Sequence, residues 1–198
     1  MSTQIQDGTG KGYRTAVTEN NRLLTQAITE TQSNHHGEIG KSFAINTGDI
    51  TLTGNATTSG VLYFKNDEDA DFHITVLVYN LGTSTGGTGD CVVEVVRNPT
   101  TGTLISNAVA VASSSNFNFG SALDLAASAY KGAEGNTITN GSTFISTRLV
   151  GSGRTALTIG DIIIPKGAAM GIKYTTATSN SSQKVQFGLS GFLQTLEE

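Results

Sequence analysis

Four stretches carry residue types that chemistry could use. Gly82-Thr-Ser84-Thr-Gly86 fits G-x-S-x-G, the hydrolase pattern in which a serine on a strand-to-helix turn is activated by a histidine. Here Gly87-Thr-Gly-Asp90 and another β-rich run follow, and His35, His36 and His73 all precede the serine, whereas that arrangement places its histidine last. The segment reads as a hairpin loop. Gly37-Glu-Ile-Gly40-Lys41-Ser42 shares the end of G-x-x-x-x-G-K-[ST], but His35 stands where the first glycine belongs. Asp67-Glu-Asp69-Ala-Asp71 opens like a calcium loop. Its sixth position is Phe72 instead of Gly and its twelfth is Val78 instead of Glu, so a solvated turn between strands is the reading. His35-His36, on an extended chain, would point to opposite sides and share one ion poorly.

The remaining candidates are single residues. His73 reads as a packed or surface residue of a strand, and Cys91 as a small buried hydrophobe. No two carboxylates stand out as a general acid and base. The expectation is no catalytic residue, no cofactor and no metal: a chain built for surfaces rather than for catalysis.

The elements that would position such residues are strands. From Ser42 onward, runs at 42–46, 49–53, 60–65, 71–81, 91–97, 103–112, 143–150, 155–159, 161–164, 169–177 and 183–193 are separated by turn signals such as Asn46-Thr-Gly48 and Gly151-Ser-Gly153. Within 71–81, alternation puts His73, Thr75, Leu77 and Tyr79 on one face and Phe72, Ile74, Val76 and Val78 on the other. Apolar residues on both of those faces, and the unbroken Ile162-Ile-Ile164, suit a packed interior or a subunit interface. Residues 121–131 allow a helix capped at Ser121 and ended at Gly132, or an extended segment; the β surroundings favour the extended form. The fold class expected is all-β: an antiparallel β-sandwich, jelly-roll-like, over 42–198.

Residues 1–41 differ. The first 28 are glycine-punctuated and hold one candidate hairpin turn at Asn20-Asn21; 29–41 are polar and read as a linker. The segment has too little apolar surface to order itself alone, and enough to add to a neighbour's sheet edge. An extended N-terminal arm is expected, with Gly8, Gly10, Gly12, Tyr13, Arg14, Val17, Arg22, Leu23, Leu24 and Ile28 as its partner-binding residues.

Composition narrows the class. The 198 residues carry 16 acidic and 12 basic side chains, a net charge of −4 without a basic run, which argues against nucleic acid as partner. One cysteine excludes an intrachain disulfide framework. No apolar stretch approaches the roughly 20 residues that span a bilayer, and the polar first twenty residues lack a secretory signal. Ser and Thr make up roughly a quarter of the chain and Gly 24 residues, a composition of strands joined by tight turns.

Several pieces resemble one family. Asp7-Gly-Thr-Gly-Lys-Gly-Tyr13 with Asn21-Arg22-Leu23, Phe43-Ala-Ile-Asn-Thr-Gly48 with Asp49-Ile-Thr-Leu-Thr53, Leu62-Tyr-Phe-Lys-Asn66, Asn118-Phe-Gly-Ser121 and Tyr130-Lys-Gly-Ala-Glu-Gly135 are similar to stretches of tailed-bacteriophage virion structural proteins. The resemblance implies a β-rich, non-enzymatic virion component, assembled in the host cytoplasm, with no catalytic residues to carry over. Two placements follow from it. One is a head decoration (cement) protein, expected as a homotrimer, bound to the major capsid protein through the arm. The other is a tail, fibre or collar component with a glycan-binding tip.

Overall fold

Strands dominate wherever Val, Ile, Phe and Thr alternate with polar residues, and glycine or asparagine ends them. The computed structural model describes residues 32–53, 57–81, 90–104, 115–150, 153–157, 162–176 and 182–194. In order they form α1 (Gln32–Glu38), β1 (Ser42–Asn46), β2 (Ile50–Leu52), β3 (Thr58–Asn66), β4 (Asp71–Leu81), β5 (Asp90–Arg97), β6 (Ala127–Lys131), β7 (Ser142–Val150), β8 (Gly153–Leu157), β9 (Ile162–Ile164), β10 (Ala169–Thr175) and β11 (Gln183–Gln194).

Two antiparallel sheets result. In one, β1 and β2 share an edge of β11, β11 pairs with β4, and β8 and β9 share the far edge of β4. In the other, the order is β6-β3-β10-β5-β7. Successive strands β2, β3, β4 and β5 alternate between sheets, and so do β9, β10 and β11. That is the double Greek-key order of a jelly roll, with β6 as an added edge strand. The sandwich expected from the sequence is therefore present.

Phe43, Leu52, Phe64, Phe72, Leu77, Ile172 and Phe187 fill the space between the sheets, each almost wholly buried. Burying a side chain of this size contributes roughly 1.5–3 kcal/mol. A smaller cluster of Tyr63, Val96, Leu104, Ile138 and Ala169 lies apart from this core. Its Leu104 and Ile138 belong to loops that are tied together by the Thr100–Thr139 bridge. Gly60 and Gly132 permit the close approach there: a Cβ at Gly132 would lie 1.7 Å from the Gly60 carbonyl oxygen. Strands β3 and β10 are buried on both faces, whereas His73, Thr75, Val76 and Val78 of 71–81 are only partly buried.

Three expectations need correction. Residues 32–38 of the expected linker form a helix. It ends in a Schellman motif: Gly40 has φ +73°, its N–H donates to Gly37 O at 3.1 Å, and Lys41 N–H donates to His36 O at 2.7 Å. The alternation of β4 reverses midway, because a bulge opposite Ser190 and Gly191 leaves Thr75 without a register partner. Leu77 consequently joins Phe72 and Ile74 in the core instead of facing out with His73. Finally, Thr103 lies in a turn rather than at the start of a strand, while 105–112 lie outside the described residues. Residues 127–131 are extended, as favoured, and form β6.

Candidate interaction surface

The segment after Ser115 begins Asn116-Phe-Asn-Phe-Gly120, an alternation of amide and phenyl groups in a polar surrounding. Asn116 is buried and forms a bridge with Phe43 of β1. Its side-chain Nδ2 donates to Gly40 O at 2.7 Å and to Leu123 O at 3.3 Å, and its Oδ1 accepts from Asn118 N at 2.9 Å. Asn118 in turn donates through Nδ2 to Glu38 O at 2.8 Å and accepts from Gly120 N at 3.0 Å. Phe117 N–H donates to Ser42 O at 2.9 Å. These bonds pin the loop to the end of α1 and the start of β1.

What the scaffold presents is apolar. Phe119 is 98% exposed, and Phe117, Leu123 and Ile39 are each about half exposed. Four large exposed apolar side chains are thus carried on one hydrogen-bonded frame, and their hydration is costly. Sequence reasoning missed it. The available signal was two phenylalanines flanked by asparagine and glycine, with no neighbouring apolar run to pack against.

A second apolar feature is a cleft of about 580 Å³ lined by Arg97, Phe144, Ile163, Pro165 and Met170, where β9 of one sheet meets β5, β7 and β10 of the other. Phe144 protrudes into it because a bulge in the β5–β7 pairing leaves it without a partner. Ile163 is exposed between the inward Ile162 and Ile164.

The chemical candidates are dispersed. Asp67 accepts from Lys65 and from Ser128 Oγ at 2.8 Å, Glu68 accepts from Ala126 N at 2.6 Å, and Asp69 pairs with Lys166. The Lys65 hydrogen bond holds the Asp67 carboxyl below its ordinary range, and the Lys166 bond does the same for Asp69. The carboxylates of this turn thus serve different partners. Among the described residues no three His, Cys, Asp or Glu side chains gather to hold a metal ion, and no helix is long and apolar enough to cross a membrane. Gly40-Lys41-Ser42 leaves a helix and enters a strand, the reverse of a phosphate loop. Cys91 is buried, as expected. His35 and His36 lie on α1 rather than on an extended chain, with ring centroids 5.7 Å apart. Ser84 and all the predicted arm residues (Gly8, Gly10, Gly12, Tyr13, Arg14, Val17, Arg22, Leu23, Leu24 and Ile28) lie outside the described residues.

No family model matches this chain, and no curated protein is similar to it in sequence. Among solved structures, a chain of the infectious bursal disease virus (IBDV) particle matches with 10% identity over 76% of this chain and 30% of that one, at a TM-score of 0.33. A chain of tomato aspermy virus matches with 10% identity over 86% and 82%, at 0.29. A Clostridium thermocellum xylanase solved with xylohexaose matches with 8% identity over 80% and 27%, at 0.28. This chain spans about a third of the length of the IBDV chains it matches. TM-scores this low fall short of a shared fold and assign neither family nor activity.

Proposed function

We propose that this chain is a non-enzymatic structural component of a tailed-phage virion, and within that class a capsid decoration protein that binds the major capsid protein. Jelly rolls serve as capsid subunits, lectins and cupins alike, so the fold alone does not choose. The observation that carries the reading is the fixed apolar surface of Ile39, Phe117, Phe119 and Leu123, which suits a protein partner. The similarity of residues 7–13, 43–53, 62–66 and 118–121 to phage virion proteins supplies the kind of partner. Residues 1–31 are proposed as a second contact with the same capsid lattice, adding to the first by effective concentration. The subunit is proposed to act as a homotrimer in the virion.

The test uses virions prepared without the protein. Purified full-length protein should rebind them in sedimentation assays. Phe119→Asp combined with Leu123→Asp should weaken binding at least about tenfold, as expected on losing a buried aromatic anchor. Rebinding of that variant at wild-type strength would refute the surface as the contact. Rebinding to tails alone would refute decoration.

A further inference from the structure

On the side of β4 and β11 that faces away from the core, three aromatic rings stack. His36 of α1 lies over Phe192 with ring centroids 4.7 Å apart and planes 9° apart. Phe192 lies beside His73 with centroids 5.2 Å apart and planes 10° apart. Ser42, Phe192, His73 and Ile163 are register neighbours across β1, β11, β4 and β9, so the stack sits on one row of the sheet. The polar atoms of this row are unusual: His36 Nδ1, His73 Nε2 and Ser42 Oγ are all buried with no hydrogen-bond partner among the described residues. A seven-residue helix is too short to persist alone. The stack holds its body against the sheet, while Asn118 and Asn116 hold its C-terminal end through Glu38 O and Gly40 O.

We propose that His36, Phe192 and His73 form a proton-operated clasp, in which the neutral His36 ring docks α1 on the sheet and its protonation in mild acid releases the helix. A neutral ring stacks on Phe192 as an apolar plate. A proton on His36 would create a buried N–H donor with no acceptor among the described residues and a charge that Lys41 and the neighbouring imidazoles disfavour. The titratable groups around it are His35 and Glu38 on α1, Lys41 just after it, and His73 and Asp71 on β4. The nearby outward residues of β1 and β11 (Ser42, Ser190 and Gln194) carry no charge. Neither buried nitrogen is hydrogen-bonded to Asp71 or Glu38. Desolvation lowers the His36 pKa from its ordinary 6.5, and the charges of His35, Lys41 and His73 lower it further. The docked state therefore binds fewer protons than the released one. Docking is complete above the ordinary value and is lost as pH falls from there through the lowered one. Release would free the helix from which residues 1–31 continue, so the clasp gives acid a handle on the arm. This holds whether or not the partner is a capsid.

Amide exchange on the full chain reads it directly. The amides of Ile39, Gly40 and Lys41 close the end of α1, and that of Ile172 in the core strand β10 is an internal reference. Between pH 7.5 and pH 5, corrected protection of the three should fall by up to about tenfold per pH unit for one proton taken up, while the reference holds. His36→Phe keeps the stack but cannot charge, and should keep protection at pH 5. The wild-type His36 ring, followed by nitrogen chemical shift, should titrate below an unfolded-peptide histidine. Unchanged wild-type protection at pH 5, equal loss in His36→Phe, or an ordinary His36 titration would each overturn the clasp.

Discussion

Replacing Tyr174 by Phe removes one oxygen atom from the buried core of the sandwich. Tyr174, on β10, is fully buried and donates its hydroxyl to Gln183 Oε1 on β11 at 2.8 Å, tying one sheet to the other. The Cys91 thiol approaches the same oxygen at 3.7 Å. Burial forces the Tyr174 hydroxyl to stay protonated well beyond its ordinary range, so it is a permanent donor. The phenyl ring of the variant keeps the contact with Phe187, whose centroid is 5.8 Å away. The loss is therefore one hydrogen bond, about 0.5–1.5 kcal/mol net, plus part of the cost of a buried amide oxygen whose hydrogen bonding is weakened. Together these come to about 2 kcal/mol. At a urea slope of about 2 kcal/mol per M, the midpoint should fall by about 1 M at fixed protein concentration with the slope unchanged. Combined with Gln183→Leu, the loss should fall short of the sum of the single losses by about 1 kcal/mol. An unchanged midpoint for Tyr174→Phe, or strict additivity, would refute the inter-sheet bond as a contributor to stability.

Other perturbations follow from the same geometry. Gly40→Ala places a Cβ 2.4 Å from Ser121 Oγ at a φ of +73°, and should cost about 1–3 kcal/mol, read as a melting temperature lower by several degrees. Gly132→Ala drives a Cβ into the Gly60 carbonyl and should leave little folded protein, seen as lost β signal in circular dichroism. Asp67, held below its ordinary 3.8 by Lys65, lends stability above that value that disappears as pH falls through its lowered one; Asp67→Asn should flatten that acid limb in urea titrations at pH 2–5. Asp69→Asn breaks only an exposed pair with Lys166 and should leave the melting temperature unchanged.

The legible part of the fold was its periodicity. Residues 71–81 are β4 to the residue, because Asp71 and Leu81 are bounded by a carboxylate turn and a glycine run. The bulge at Thr75 was not legible: it arises from the register that β11 imposes, and local alternation carries no trace of it. Helix α1 was hidden for a similar reason. Gln32-Ser-Asn-His-His-Gly-Glu38 has no acidic residue in its first turn and little intrinsic propensity, and it is supported by distant residues: the ring of Phe192, more than 150 positions away, and the amide of Asn118. At the interaction surface, Phe117 and Phe119 were visible as residues but not as exposed ones. Their exposure depends on Asn116 reaching across to Gly40. The arm residues from Gly8 to Ile28 remain a proposal from sequence.

The central claim is that a jelly-roll subunit sits on a phage head and holds it through Phe119 and its neighbours. A reconstruction of the intact virion encoding this chain tests it most directly. The account predicts jelly-roll density repeated regularly over the head shell, with Phe117, Phe119 and Leu123 against the major capsid protein. Density confined to the tail or to one vertex, or a particle that lacks the protein altogether, would contradict it.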